Sequence, residues 1–337
     1  MLTSQNVSKA DHMDYKAISL PPGIHPVRAA TSIAFTEGPA ADDEGNLFFS
    51  DIINNRIMVM SPDGDHKVFR QPSFRTNGQV FDQKGRLYHC EGAEFGPGGG
   101  RRVTRTNFES GEYEVLTQRF DGKRYNSPND ICIDGQGRAY FTDPCYWAPA
   151  RENMELDVEG VYRIDTDGSV TRILSQPDIE RPNGIAVTQD SKTLYLVDSR
   201  SVPGGNRKIW KFDLSDDGTP SNQTLVWDFS PGRGADGMRI ASNGDLYLAA
   251  GINSPRGPHE TSDVPAGIYI ITPAGELKGR IPIPEDVITN LAFGGEDGKT
   301  LYITAGKNVY KTRTDVPGQV AYPEWKSAQE GTEQDSE

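Results

Sequence analysis

A polar turn followed by alternating apolar residues recurs six times along the chain: DDEGNLFFSD (42–51), DQKGRLYHCE (82–91), DGQGRAYFTD (134–143), QDSKTLYLVD (189–198), ASNGDLYLAA (241–250) and EDGKTLYITA (296–305). Aligned on Leu47, Leu87, Ala139, Leu194, Leu246 and Leu301, the copies lie 40, 52, 55, 52 and 55 residues apart. Such an interval holds about four short strands with their turns. Further strand pairs follow the copies, as in RIMVMSPDGDHKVF, GVYRIDTDGSVTRIL and GIYIITPAGELKGRI, with the two-residue period of half-buried strands. No long amphipathic helical pattern is present. The spacing predicts an all-β fold, a six-bladed β-propeller of four-stranded antiparallel blades, in which radial repetition leaves only short protected edges. A solenoid would repeat about every 20–30 residues instead.

One domain then absorbs residues 16–320, between a polar leader (1–15) and an acidic tail (321–337) expected to be disordered. The sixth copy ends at VYKTRTDV (309–316) without a fourth strand, and the N-terminal DYKAISLPP (14–22) is expected to complete that blade. The net charge of -13, with Lys and Arg scattered, argues against a nucleic-acid surface. No apolar run approaches the roughly 18 residues of a membrane-spanning helix. Cys90, Cys132 and Cys145 show no metal-finger or CxxC spacing and read as idle thiols. The leader lacks the apolar centre of a secretory signal, so the chain as given reads as cytoplasmic; a periplasmic or secreted form with its signal removed would look the same. No GxSxG elbow occurs, and the glycine run at 96–100 lacks the Gly-Lys-Ser/Thr of a phosphate loop.

Ten or eleven residues before the six reference positions stand Glu37, Asn77, Asn129, Asn183, Asp236 and Asn290, four of them followed by Gly. Residues at the start of each blade's innermost strand converge on the central channel from six directions. Asn and Asp also favour strand starts through Asx turns, which accounts for any one of the six taken singly. A carboxylate or carboxamide in all six blades points instead to a ring of oxygen donors. Two anions among neutral amides suit one divalent metal ion in the channel, Ca²⁺ first, with Mg²⁺ or Mn²⁺ as alternatives. Zn²⁺, which also accepts carboxylates, stays open.

TEGPAADDEGNLFFSD, NSPNDICIDGQGRAYFTDP (126–144), RPNGIAVTQDSKTLYLVD (181–198) and GADGMRIASNGDLYLA (234–249), in this order and spacing, resemble the gluconolactonase, senescence-marker-protein and luciferin-regenerating-enzyme family of six-bladed propellers, from about Ile33 to Thr304. The resemblance implies a metal-dependent lactonase whose ion is held by Glu37, Asn129, Asn183 and Asp236. Asn77 and Asn290 would then line the substrate pocket. Family members acting on sugar lactones can carry an arginine where this chain has Ser127, a departure that bears on sugar-acid specificity. Hydrolysis of phosphorus esters, as in the related diisopropyl fluorophosphatase, is the alternative activity. A non-catalytic binding propeller with a structural cation is the alternative outside the enzymes. Strictosidine-synthase-like chemistry fits poorly with an intact Glu-Asn-Asn-Asp set.

Lactone opening needs a polarised carbonyl and an activated water, with Asp236 as the candidate general base and Glu37 as an anchoring charge. The connections after each blade's second strand face the ring and are long at 92–102, 144–159, 199–207 and 251–265. They place Tyr146 and Trp147 as an expected apolar wall, and Glu91 or Arg101 as polar contacts to a small lactone or ester substrate. His89, on a strand near Glu91, is the one histidine outside an apparent loop or the leader. Nothing in the sequence separates a monomer from a homodimer.

Overall fold

The computed structural model describes residues 27–30, 33–93, 99–108, 110, 113–146, 151–152, 154–255 and 260–319. The leader, the tail, the segment 14–22 and Trp147 lie outside the described residues. Six four-stranded antiparallel sheets form the propeller. Blade one is Thr36–Ala41, Leu47–Asp51, Arg56–Met60 and His66–Arg70. Blade two is Thr76–Phe81, Leu87–Glu91, Arg102–Thr106 and Tyr113–Thr117. Blade three is Ile131–Ile133, Ala139–Asp143, Gly160–Ile164 and Val170–Ser175. Pro182–Val187, Thr193–Ser199, Arg207–Leu214 and Pro220–Asp228 make blade four. Ala235–Ile240, Leu246–Ala250, Gly267–Ile271 and Leu277–Pro282 make blade five.

Blade six joins Ile288–Gly294, Thr300–Ala305 and Asn308–Arg313 to an outer strand from the other end of the chain, Val27–Ala30. Val27 pairs with Lys311 and Arg28 with Tyr310. The ring therefore closes through an N-terminal strand, as the incomplete sixth copy predicts, but the strand seen is Val27–Ala30, downstream of DYKAISLPP.

The core lies between blades. The turn motif puts apolar side chains alternately on the two faces of each second strand, and each face meets a neighbouring blade. Val197, Ile209, Phe229, Leu248 and Tyr269 pack the seam between blades four and five. Leu248 is fully buried there, and Leu248→Ala would cost about 2–5 kcal/mol by leaving a cavity. At the seam between blades one and two, Phe48 meets Phe81 and Phe69 edge-on at centroid distances of 5.6 and 5.0 Å.

After the last strand of blade six the chain crosses the end of the channel opposite the predicted ring. Ser242 N–H donates to the Pro317 carbonyl, Gln319 N–H to Ile240, and the Gln319 side-chain amide to Val187. A β-carbon on Gly318 would collide with the Phe293 ring, so only glycine passes at that depth.

Candidate active site

The local fold explains why the six polar residues face inward. In five blades the pairing of the first two strands slips directly at the ring position, between Glu37 and Ala40, Thr76 and Gln79, Pro182 and Ile185, Ala235 and Met238, and Ile288 and Asn290. A bulge re-aims a side chain, and the Gly that follows four of the ring residues permits it. Gly38 has φ +47°, and a β-carbon there would overlap the Asn77 carbonyl oxygen. Gly184 and Gly237 lie equally close to Asp236 O and to the Asn290 side chain. Innermost strands of adjacent blades thus approach too closely for any larger residue, which draws the ring together.

In three blades a carboxylate at the end of the second strand fixes the entry to the inner strand. Asp51 accepts the amides of Ala34 and Phe35 at 3.1 and 3.2 Å. Asp143 does the same for Asn126 and Ser127 at 2.8 and 2.7 Å, and Asp198 for Glu180 and Arg181 at 3.1 and 2.7 Å. In each case the donors sit three and two residues before the ring residue. Blade five has Ala250 at the equivalent place. There Arg233, three before Asp236, donates to the Gly251 and Ile288 carbonyls at 3.3 Å each and to Asp236 Oδ2 at 3.2 Å.

Within the ring, Asn183 Nδ2 donates to Asp236 Oδ1 at 2.7 Å and to the Tyr146 hydroxyl at 2.6 Å. The Asn290 side chain lies near Glu37 and Asp130, where it favours the charged form of both carboxyls, and its own Oδ1 accepts Leu291 N–H at 2.9 Å. Gly78 N–H donates to the Asn129 carbonyl at 2.6 Å, tying blade two to blade three. Glu37, Asn77, Asn129, Asn183 and Asn290 are buried, and the Asp236 side chain is 16% exposed. Burial, then repulsion from Asp236, pushes the Glu37 carboxyl well above the usual carboxylate range. Burial raises Asp236 to about 6, against the opposing pull of Arg233 and the Asn183 amide.

The structure brings Tyr146 to the ring, with the Arg181 guanidinium 5.0 Å over its ring centroid. It does not bring Glu91 there. That carboxylate is buried against Arg70, Arg102 (2.5 Å), Thr104 (3.1 Å) and the Tyr113 hydroxyl. Second-strand side chains point into the seams between blades rather than along the axis, and Glu91 serves as the hub of such a seam. The Arg101 Nε donates to the Tyr125 carbonyl, and Ser127 Oγ accepts Ala93 N–H at 2.8 Å. Both anchor loops.

Two groups escaped the sequence reading. Asp130 replaces the glycine that follows most ring residues and is 1% exposed; its charge raises both Glu37 and Asp236, and Arg239 lies 3.5 Å away. That departure from the repeat was the available signal. Arg233 had none, because its role depends on two carbonyls distant in the chain.

Among the described residues no three His, Cys, Asp or Glu side chains cluster as a metal-binding group. The ring offers two carboxylates and four amides instead. The donor set fits one hard divalent cation: it is all oxygen-bearing, and its two carboxylates, one buried and one largely so, stand together at an electrostatic cost that a cation would relieve.

This six-bladed propeller is the fold of a known family that includes gluconolactonases. The model of that family, the SMP-30/Gluconolactonase/LRE-like region, matches residues 35–307, and the chain belongs to it. A gluconolactonase of Zymomonas mobilis is 31% identical over 315 residues, 86% of this chain and 81% of that protein. A gluconolactonase structure from Xanthomonas campestris superposes with a TM-score of 0.72 at 28% identity, over 87% of this chain and 90% of that one. The calcium-binding protein regucalcin of Agrobacterium tumefaciens shares the fold, with a TM-score of 0.69 at 16% identity over 90% and 97% of the two chains.

Proposed function

We propose that this protein is a divalent-cation-dependent lactonase acting on a small lactone at the ring end of its channel. The observation that carries the reading is the pair of carboxylates, Glu37 buried and Asp236 largely so, set among amide side chains, with Asn183 hydrogen-bonded to Asp236. Its membership of a lactonase family and the gluconolactonases it resembles support the reaction class. Glu37, Asn129, Asn183 and Asp236 would hold the cation, which when bound supplies Lewis-acid polarisation of the lactone carbonyl.

The chain's own groups do the rest. Asp236 takes the proton of the attacking water at one carboxylate oxygen, and Arg233, bonded to Oδ2, fixes which way the carboxylate faces. Asn183 holds Oδ1 and the Tyr146 hydroxyl together, so Tyr146 stands where a substrate edge would rest. Glu37 contributes charge from a position fixed by the Gly38 amide at 2.9 Å. Asn77 and Asn290 line the same space, the latter turned toward Glu37. As the ring C–O bond breaks, the alkoxide takes the proton that Asp236 received, and the carboxylic acid formed releases its own proton to solvent, leaving a new carboxylate.

The test is metal analysis of the purified protein, then a lactone panel read with a pH indicator, for wild type and Glu37→Gln. The expected result is one divalent ion per chain and turnover that chelation and Glu37→Gln both abolish. Undiminished lactone hydrolysis after proven metal removal would overturn the mechanism.

A further inference from the structure

Beneath the Glu37 and Asn77 side of the ring runs a chain of buried polar groups unused by the proposed mechanism. Ser50, directly opposite Glu37 in the strand register, donates its hydroxyl to the Asn77 carbonyl at 2.7 Å. The Gln79 side-chain amide lies 3.0 Å from the Gly38 carbonyl and 3.1 Å from Ser50 Oγ. Its oxygen lies 3.0 Å from His89 Nδ1, and His89 Nε2 is 2.9 Å from Thr106 Oγ1. Ser50, Gln79 and His89 are all fully buried.

The donors and acceptors leave one arrangement. The Gly38 carbonyl only accepts, so the Gln79 NH₂ must face it, and Gln79 Oε1 must face His89. Oε1 also only accepts, so His89 Nδ1 carries a proton. Complete burial, and the nearby Arg70 charge, hold the imidazole neutral by pushing its pKa well down. Nε2 is then bare and accepts from the Thr106 hydroxyl.

We propose that Ser50, Gln79 and His89 form a proton-ordered strut that fixes the Gly38 and Asn77 peptides, making Gln79 a positioning residue for the Glu37 side of the ring. His89 is locked as the neutral Nδ1–H tautomer. The strut matters at this seam because Gly38 sits at positive φ with its amide on the Glu37 carboxylate. A peptide free to rotate there would carry Glu37 with it. The proposal rests on the ring being a cation site.

Two measurements on the full chain test it. Long-range ¹⁵N–¹H NMR of ¹⁵N-histidine-labelled wild type at pH 7 is expected to show His89 protonated at Nδ1 alone; an Nε2–H tautomer or an imidazolium overturns the strut. Calorimetric titration with Ca²⁺ and Mn²⁺ is expected to show affinity about tenfold weaker for Gln79→Met, the scale on which outer-shell partners act. Unchanged affinity overturns the positioning role. Should Gln79→Met not fold, Ser50→Ala, which removes one link, is expected to bind more weakly, and equal binding overturns the role in the same way. Wild type that takes up neither cation removes the basis of the lactonase reading and of the positioning role, while the NMR result still decides the strut itself.

Discussion

Asn183 and Asp236, fifty-three residues apart and on adjacent blades, share a 2.7 Å hydrogen bond from amide to carboxylate. The amide faces the carboxylate by its donor end. Asp236→Asn removes the proposed base and one ring anion. Lactone hydrolysis is expected to fall by about 10²–10⁴-fold, measured by pH-indicator assay, with weaker cation binding by calorimetry. Parent-rate turnover by cation-loaded Asp236→Asn would dismiss it as the base.

The raised carboxyls set a pH dependence. Asp236 stands at about 6 in the fold against an ordinary 3.8. Between those values the folded chain holds a proton that the unfolded chain has lost. The stability this contributes is full below about 3.8 and fades as pH rises through about 6. Glu37, shifted in the same direction, adds to the trend. Without divalent cation, wild type should therefore lose melting temperature relative to Asp236→Asn between pH 4 and pH 7. The rise in Tm on adding Ca²⁺ should be larger at pH 7 than at pH 5. Scanning calorimetry at the two pH values reads both, and a larger shift at pH 5 would contradict the assignment.

Gly38→Ala puts a β-carbon into the Asn77 carbonyl at a positive φ. The expected cost is about 3 kcal/mol or more, since strain and overlap add. Urea unfolding measures it. Gly64, at φ +96° with open space around its would-be β-carbon, carries the conformational penalty alone and should cost less on the same substitution.

Deleting the chain through Ala30 strips blade six of its outer strand and exposes the edge of Asn308–Arg313. A lower Tm and a greater tendency to aggregate are expected by calorimetry and light scattering. An unchanged Tm would mean that Val27–Ala30 does not act as a closing strand.

Blade number, strand count and the place of the six polar residues at the starts of the inner strands were legible because each rests on a pattern the repeat imposes locally. The glycine after Glu37, Asn77, Asn183 and Asp236 even announced the bulge that turns those side chains inward. The aspartates at the ends of LFFSD, AYFTD and LYLVD were equally visible, yet their work, holding two amides sixteen to eighteen residues upstream, appears only once strands one and two are paired. Glu91 misled for the same reason. It occupies the same place in the repeat, but its longer side chain turns to Arg70 across the seam and to its strand neighbour Arg102, and sequence does not show which way a side chain leans. Asp130–Arg239 joins two blades that are not neighbours, a pairing set by the closed ring as a whole. The Arg233–Asp236 pair is local, but the Gly251 and Ile288 carbonyls that hold Arg233 are not.

The segment that crosses the far end of the channel has a consequence for traffic. Pro317, Gly318 and Gln319, bonded to blades four and five, narrow the passage at that end. If the ring is the proposed lactone site, its substrate would come and go mainly on the side of Tyr146 and Arg233. A carboxylate product would then leave by the route the next neutral lactone enters, so the residues that guard the way in would also govern the way out.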